Sequence, residues 1–528
     1  MSKSDTSYVE AEMGKSGDQE HVEEIALARV TEEDLWKLSQ DSLTLKSWTG
    51  FRLFLIMFVH GCNQAGFGID WGVISGINAM QRWHDYFGFE NSGGTYGLIN
   101  ALMQIGTVCG APFMGLADVF GRRAINFAGN AIVIVGALLQ GLAVNLPMFM
   151  AGRFFLGFGS ALMSSSQYIG EISPLHLRGL MVGFFGACFQ VGSLAMLGAM
   201  IGLTELPGNN AWRIPLILEC LFPAIVCTGI YLLTPESPRY YVLKGNRQKA
   251  KEVVAKYHTT STDINEPLVE IVVKQIEESL EADTTGYRSS WDYRVFFTKV
   301  ARYRLLVLIL YSLFQQWNGG GIITYYMAPS LQQLGVTDEK SILGVNIGTT
   351  AVYFVFTAVG AMIVDRFRRR TLIFIGLISM IIFQTATTIT AWQYTVHATP
   401  GSGGTFSATF VATMHNLYPI EILSLPLRAK GMGLYGLIQG AAGAVQSYGI
   451  GVGIQKVGYK IWVVYIVYNS IQLLLSYLFF PETSSLSLEE INTVFETPGV
   501  HPVKMSLNIE KAKKERAAAR DEEGNVDQ

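Results

Sequence analysis

The sequence predicts an all-α membrane protein of twelve spanning helices, arranged as two pseudo-symmetric six-helix bundles. Three observations predict it: a charge-poor apolar composition, twelve apolar runs of spanning length, and an internal repeat. Of 528 residues, 50% are hydrophobic and 15% charged, with mean hydropathy +0.30. Soluble chains carry about 25% charged residues. The 55 glycines suit close helix packing in a bilayer. A formal net charge of −3, from 39 Lys+Arg against 42 Asp+Glu, offers no positive field for nucleic acid. All five cysteines (Cys62, Cys109, Cys188, Cys220 and Cys227) fall in apolar runs and read as packing residues, not a disulfide framework.

A membrane helix needs about 20 mostly apolar residues. The runs are 51–76, 95–117, 123–143, 147–171, 180–203 and 212–234, then 303–330, 342–364, 371–392, 402–422, 429–455 and 460–480. The first and tenth carry several polar residues, as helices facing a cavity do. The polar, acidic first 45 residues have no basic-then-apolar start, so the first span reads as the insertion signal. Short loops set the orientation. Arg122 and Arg123, then Arg366, Arg368, Arg369 and Arg370, then Arg428 and Lys430 lie on one side. Residues 143–147 carry no charge, and 393–402 hold only His397. Both termini then lie in the cytosol, with a plasma-membrane location expected. The division is a 1–50 tail, a 51–234 bundle, a 235–300 cytosolic linker, a 301–482 bundle and a 483–528 tail. The linker carries ten Lys/Arg and ten Asp/Glu, and 246–281 reads as charged amphipathic helix.

The halves repeat. Asp118 with Arg122 and Arg123 returns as Asp365 with Arg366 and Arg369, 247 residues on by the aspartates. Glu171 with Arg178 returns as Glu421 with Arg428, 250 residues on. Pro235-Glu236-Ser237-Pro238-Arg239 returns as Pro481-Glu482-Thr483. Acids among these bases predict charge-assisted latches between cytosolic helix ends, formed when that side is closed. Topology alone needs the bases but not the acids.

With these duplicated motifs the chain resembles the major facilitator superfamily. Pro235–Arg239, Pro481–Thr483, Gly152-Arg153-Phe-Phe-Leu-Gly157-Phe-Gly159 and Tyr168–Gly179 resemble its sugar porter family in particular. Phe314–Gly321, ending in Tyr325-Tyr326, and Leu417–Leu423 are similar to the fungal lactose-permease-like and hexose-transporter-like branch. The resemblance spans about 51–495. It implies one mid-membrane substrate site reached alternately from each side.

Asp70 lies deep in the first span and Arg153 near the start of the fourth. A charge at the bilayer centre costs about 2.5–3.5 kcal/mol, so unpaired ones should be rare, and the family's proton-coupled symporters place an acid and an arginine at these matching positions. The resemblance implies proton coupling at this pair: a close guanidinium keeps the acid ionised, and its withdrawal lets the acid take a proton. Ile69 stands where the family commonly has an aromatic.

Sugar hydroxyls both donate and accept, which suits amides beside aromatic faces. The seventh span supplies Gln315, Gln316, Asn318 and Tyr325 beside Gly319-Gly320-Gly321, where a helix can break. The resemblance assigns sugar contacts to Gln315 and Gln316; the family's downstream asparagine is missing, with Asn318 a substitute. Span ten offers His415 and Asn416 in place of the Pro-Trp of hexose porters, which widens the pocket. Span eleven offers Gln439, and span five Gln190. Gln104 and Asn100 are read as facing a neighbouring helix and stay outside this set.

The leading reading is a proton symporter of a mono- or disaccharide or related polyol, working as a monomer, with protons as coupling ion and no other cofactor. The alternative is a major facilitator carrier of a secondary metabolite or organic acid. A nutrient sensor needs a longer signalling tail than residues 484–528. No metal-ligand cluster, catalytic triad or phosphate loop points to an enzyme.

Overall fold

The structure is a computed structural model that describes residues 32–90, 92–163, 165–283, 293–298, 301–333, 338–363, 367–397, 425–483, 491, 493–495 and 500–512. Helix is the only way for one segment to satisfy its own backbone in lipid, and each apolar run among these residues is helical. In chain order they are α1 (Glu32–Ser42), α2 (Trp48–Ile77), α3 (Gln81–Phe87), α4 (Gly94–Gly110), α5 (Arg122–Gly141), α6 (Leu146–Leu162), α7 (Ser165–Ile172), α8 (Arg178–Leu203), α9 (Asn210–Leu218) and α10 (Leu221–Leu232). After them come α11 (Pro238–Leu243), α12 (Arg247–His258), α13 (Pro267–Asp283), α14 (Ala301–Gln316), α15 (Gly320–Gln333), α16 (Glu339–Ile363), α17 (Arg369–His397), α18 (Leu425–Val457), α19 (Ile461–Phe479) and α20 (502–512).

Seven stretches among the described residues are long and apolar enough to cross a membrane: Gly94–Phe120, Arg122–Gly141, Leu146–Ile172, Leu175–Leu203, Asn210–Leu232, Arg369–Ile389 and Gly433–Phe479. The last covers both α18 and α19. The first span is α2, whose polar His60, Asn63, Gln64 and Asp70 dilute its hydropathy. Span 402–422 lies outside the described residues, as do Asp365, Arg366, His415, Asn416 and Glu421. Two spans are interrupted. Pro223 has no N–H for the Glu219 carbonyl, and the sixth span divides into α9 and α10 there. The seventh divides at Gly319, whose φ of +95° only glycine adopts without strain.

The chain forms two compact units. One takes the described residues of Met1–Phe58, Ser166–Val182 and Leu233–Ala282. In it α12 and α13 pack through Ala250, Val254, Val269 and Val273, with Arg247 bonded to Glu277 at 2.9 Å and to Glu270. This is the amphipathic segment expected of the linker. His258, buried, meets the Ile172 carbonyl at 3.1 Å. Burial first, then the Arg178 and His176 charges, lower its pKa from 6.5 to about 4.

The other unit takes Val59–Ser165, Gly183–Leu232 and the described residues of Asp283–Gln528, so both six-helix halves contribute to it. Ile74, Trp83, Tyr96, Met200 and Trp212 from the first half share one core with Ile322, Tyr326, Leu343, Ile450 and Trp462 from the second. The repeat is visible in this unit. Arg123 donates to the Tyr231 carbonyl at 2.9 Å and lies 4.7 Å over that ring. Its counterpart Arg370 donates to the Tyr477 carbonyl and lies 5.1 Å over that ring. The 483–528 tail is partly built in: Met505 and Ile509 of α20 pack on the second half, and Glu510 pairs with Arg368.

Gly157 sets how closely α6 meets α4. A Cβ there would stand 2.0 Å from the Met103 carbonyl oxygen. Gly157→Ala is expected to cost about 1–3 kcal/mol, read as a lowered thermal midpoint in detergent. His258 gives a pH signature. A pKa lowered on folding means that protons favour the unfolded chain, so its contribution is complete above pH 6.5. It falls away toward pH 4, by about 3 kcal/mol in all. His258→Gln, which keeps a donor for Ile172, should flatten that part of the profile of thermal midpoint against pH.

Candidate functional site

Asp70, two turns from the end of α2, and Arg153, on α6, meet inside the first half. The guanidinium Nη1 donates to Asp70 Oδ1 at 2.6 Å, and their side chains are 3% and 0% exposed. A second donation reaches Met103 Sδ at 3.4 Å. At the interruption of the sixth span stands Glu219, 2% exposed, with neither carboxylate oxygen hydrogen-bonded. Glu219, Asp70, Asn63 and Ser160 share a cavity of about 10 Å³, the room one water molecule needs. Asp70 Oδ2 and Asn63 Oδ1 are likewise unbonded. The site therefore gathers two acids and one base, and its unbonded atoms are four acceptors, which a proton or water could serve, and one donor, Arg153 Nε.

The second half supplies the amides. Gln315 Oε1 accepts from Gln439 Nε2 at 2.6 Å and from the Tyr435 hydroxyl. Gln316 Oε1 lies 3.3 Å and the Gln104 amide carbon 3.4 Å from where a Cβ on Gly443 would stand, so Gly443 leaves both amides room. Gln104 Nε2 donates to the Tyr325 hydroxyl at 3.4 Å. The Tyr325 ring lies 5.3 Å from that of Trp71, the residue after Asp70. Gln315 thus meets Gln439, while Gln316 and Tyr325 lie about Gln104, with Tyr325 against the acid pair's helix through Trp71.

The remaining assignments fall elsewhere. Asn318 works on the chain itself: its Nδ2 donates to the Gln315 carbonyl at 2.9 Å and its Oδ1 accepts from Gly320 N–H at 2.8 Å, capping α15. Gln190 is buried on α8, next to Phe189, which packs on Trp71 at 5.8 Å. Gln104, read as facing a neighbouring helix, does so, and the neighbour carries Tyr325. Three participants were missed. Glu219 had a signal, a lone acid inside an apolar run; Gln104 and Trp71 needed the fold to show their direction.

Several of the latch residues that the structure describes make contacts near their own helix ends. Arg122 pairs with Asp118 at 2.9 Å, four residues apart. Glu171 accepts from Gln167 at 3.2 Å and from Ser237. Glu236 accepts from Ser237 N–H at 3.1 Å, and Arg239 N–H donates to Ser237 Oγ at 3.2 Å. Glu482, 2% exposed, accepts from the N–H groups of Arg369 at 3.0 Å and Arg370 at 3.3 Å. It thereby caps α17, where the helix N-terminus favours an anion. Arg178 opens α8, and Arg428 lies on α18. Among the described residues no cluster of His, Cys, Asp and Glu could hold a metal ion.

The chain is 29% identical over 479 residues to the low-affinity glucose transporter HXT4 of Saccharomyces cerevisiae, covering 83% of this chain and 80% of that protein. It is 26% identical to the MFS-type transporter oryC of Aspergillus oryzae, covering 85% and 86%. Its fold matches the inward open xylose transporter XylE of E. coli with a TM-score of 0.68 at 22% identity, over 84% of this chain and 100% of that one. Another structure describes XylE as a major facilitator superfamily proton:xylose symporter bound to 6-bromo-6-deoxy-D-glucose. The twelve-helix major facilitator architecture follows. A family model described as "Sugar (and other) transporter" matches residues 56–495, and the chain belongs to that family.

Proposed function

We propose that this protein imports a sugar, a mono- or disaccharide or related polyol, by alternating access driven by protons. The supporting observation is the buried trio. Asp70 and Glu219 ionised against one Arg153 leave a net negative charge in a low-dielectric interior, where a single charge costs about 2.5–3.5 kcal/mol. One proton neutralises it. Rearrangement of Arg153 between access states then changes how firmly that proton is held, which links proton release to the side the site faces. Glutamine amides with Trp71 and Tyr325 provide the donors, acceptors and flat apolar faces that a polyol needs. Similarity to HXT4 and XylE favours this cargo over an organic acid. The basic loops favour cytosolic termini in a plasma membrane, and the single central site favours a working monomer.

Two results test this. In proteoliposomes with an imposed pH gradient, Asp70→Asn should lower sugar accumulation at least tenfold while exchange across equal sugar concentrations persists. Net uptake by the parent that ignores the gradient would overturn symport, and a panel of labelled mono- and disaccharides that neither enter nor compete would overturn the sugar assignment. Gln315→Ala and Gln316→Ala should each raise KM about 3- to 10-fold, the worth of one hydrogen bond to a hydroxyl, in initial-rate uptake. An unchanged KM in both would remove these amides from the substrate site.

A further inference from the structure

We infer that Asn78 and Tyr96 are positioning residues that shut the outer end of the transporter by taking a backbone carbonyl that Pro329 sets free. The inference rests on the alternating-access reading above. Pro329 lies inside α15 and has no N–H, so the carbonyl four residues earlier, that of Tyr325, has no helical donor. The backbone bends there, with Tyr326 at φ −123° and ψ 20°. A buried carbonyl left without a donor is costly.

Two donors from the first half meet it. The Tyr96 hydroxyl, on α4, donates at 3.0 Å, and Asn78 Nδ2, just past α2, at 3.1 Å. Both residues are at most 1% exposed. The Tyr96 ring also meets the Tyr326 ring edge-on at 5.0 Å. All this sits at the end of the bundle opposite the basic loops, the outer end by the charge rule.

The beginning of α15 is held differently. At the Gly319 break the Asn318 carbonyl accepts from Gln384 Nε2 at 2.8 Å and Asn469 Nδ2 at 3.1 Å, both from the second half. One end of the helix is thus pinned to its own half, and its middle is tied to the other. An outward swing about Gly319 would hand the Tyr325 carbonyl to water, which replaces the lost bonds, so the tie is reversible. An ordinary residue at 329 would instead give that carbonyl a permanent partner within α15. Because the Tyr325 hydroxyl touches Gln104 in the substrate site, the tie also positions a site residue.

The test is alkylation from outside by a membrane-impermeant maleimide, which needs neither sugar nor a proton gradient. The reporter is Ser447→Cys. Ser447 is 2% exposed and its carbonyl accepts from the Tyr326 hydroxyl, so it is covered while the outer end is shut. Labelling of the five native cysteines is subtracted using the parent. Adding Tyr96→Phe, Asn78→Val or Pro329→Ala should each speed labelling about 3- to 10-fold, matching the loss of one hydrogen bond. A Ser312→Cys reporter, 0% exposed and away from this contact, should stay unlabelled in all of them.

Labelling at Ser447→Cys that stays within twofold for Tyr96→Phe overturns the inference, even if Pro329→Ala fails to fold. Equal gains at Ser312→Cys would mean general loosening and overturn it as well. Faster labelling in a protein that moves no sugar in the uptake panel would keep this inference and overturn the transport reading.

Discussion

Two carboxylates and one guanidinium enclosed in the first half impose the main constraint on this molecule. Charges so deep in an apolar bundle are tolerated only when paired, and pairing demands exact reach. Gly157, one turn beyond Arg153, lets α6 lie against the α4 backbone, so that the guanidinium can touch both Asp70 and Met103 Sδ. Pro223 interrupts the sixth span where Glu219 must turn toward the same cavity. The packing of three helices therefore serves one electrostatic requirement, and the unbonded polar atoms of Asp70, Glu219, Asn63 and Arg153 are its remainder.

The repeat gives the halves the same scaffold and leaves their interiors free to diverge. Arg123 on Tyr231 and Arg370 on Tyr477 solve one problem twice, closing the last carbonyls of a helix with a basic group over an aromatic face. Likewise Glu236 and Glu482 each accept from the N–H of the following residue. Among the described residues the Asp70, Glu219 and Arg153 cluster belongs to the first half, and the amides Gln315, Gln316 and Gln439 to the second. The hydrogen bond between Gln104 and Tyr325 joins the two chemistries. That division suits a coupled carrier, because the ion and the solute can then be sensed by different bodies that must move together.

Much of this was legible in the sequence because it depends on period and length. Each predicted run among the described residues lies on a helix or an interrupted pair of helices; the acid and arginine that the family resemblance put together are in contact. What escaped depends on direction. Glu219 sits between Leu218 and Cys220 in an apolar run, and only the kink aims it at Asp70. Gln104 was discounted because spacing along α4 cannot say which neighbour it faces. Asn318 reads as a substrate amide, yet a helix break exposes backbone groups that must be capped first, and the nearest amide does so. The loop charges read as latches between neighbouring cytosolic helix ends, and among the described contacts Arg122 pairs with Asp118, Glu171 accepts from Ser237, and Glu482 caps α17.

The seventh span shows how backbone demands of this kind become mechanism. An unbroken helix would satisfy its own carbonyls and offer its neighbours nothing but side chains. Two interruptions, at Gly319 and Pro329, each release a carbonyl, and each carbonyl recruits buried donors from a different half. The donors at Gly319 are fixed further by a bond between them, Asn469 Nδ2 to Gln384 Oε1 at 2.8 Å, which makes that end the stiffer one. The donors at Tyr325 come from separate elements of the first half, α4 and the residue beyond α2. A segment anchored by a cross-linked pair at one end and by independent donors at the other has a defined pivot and a defined point of release. The proposed release point is thereby the end that carries Tyr325.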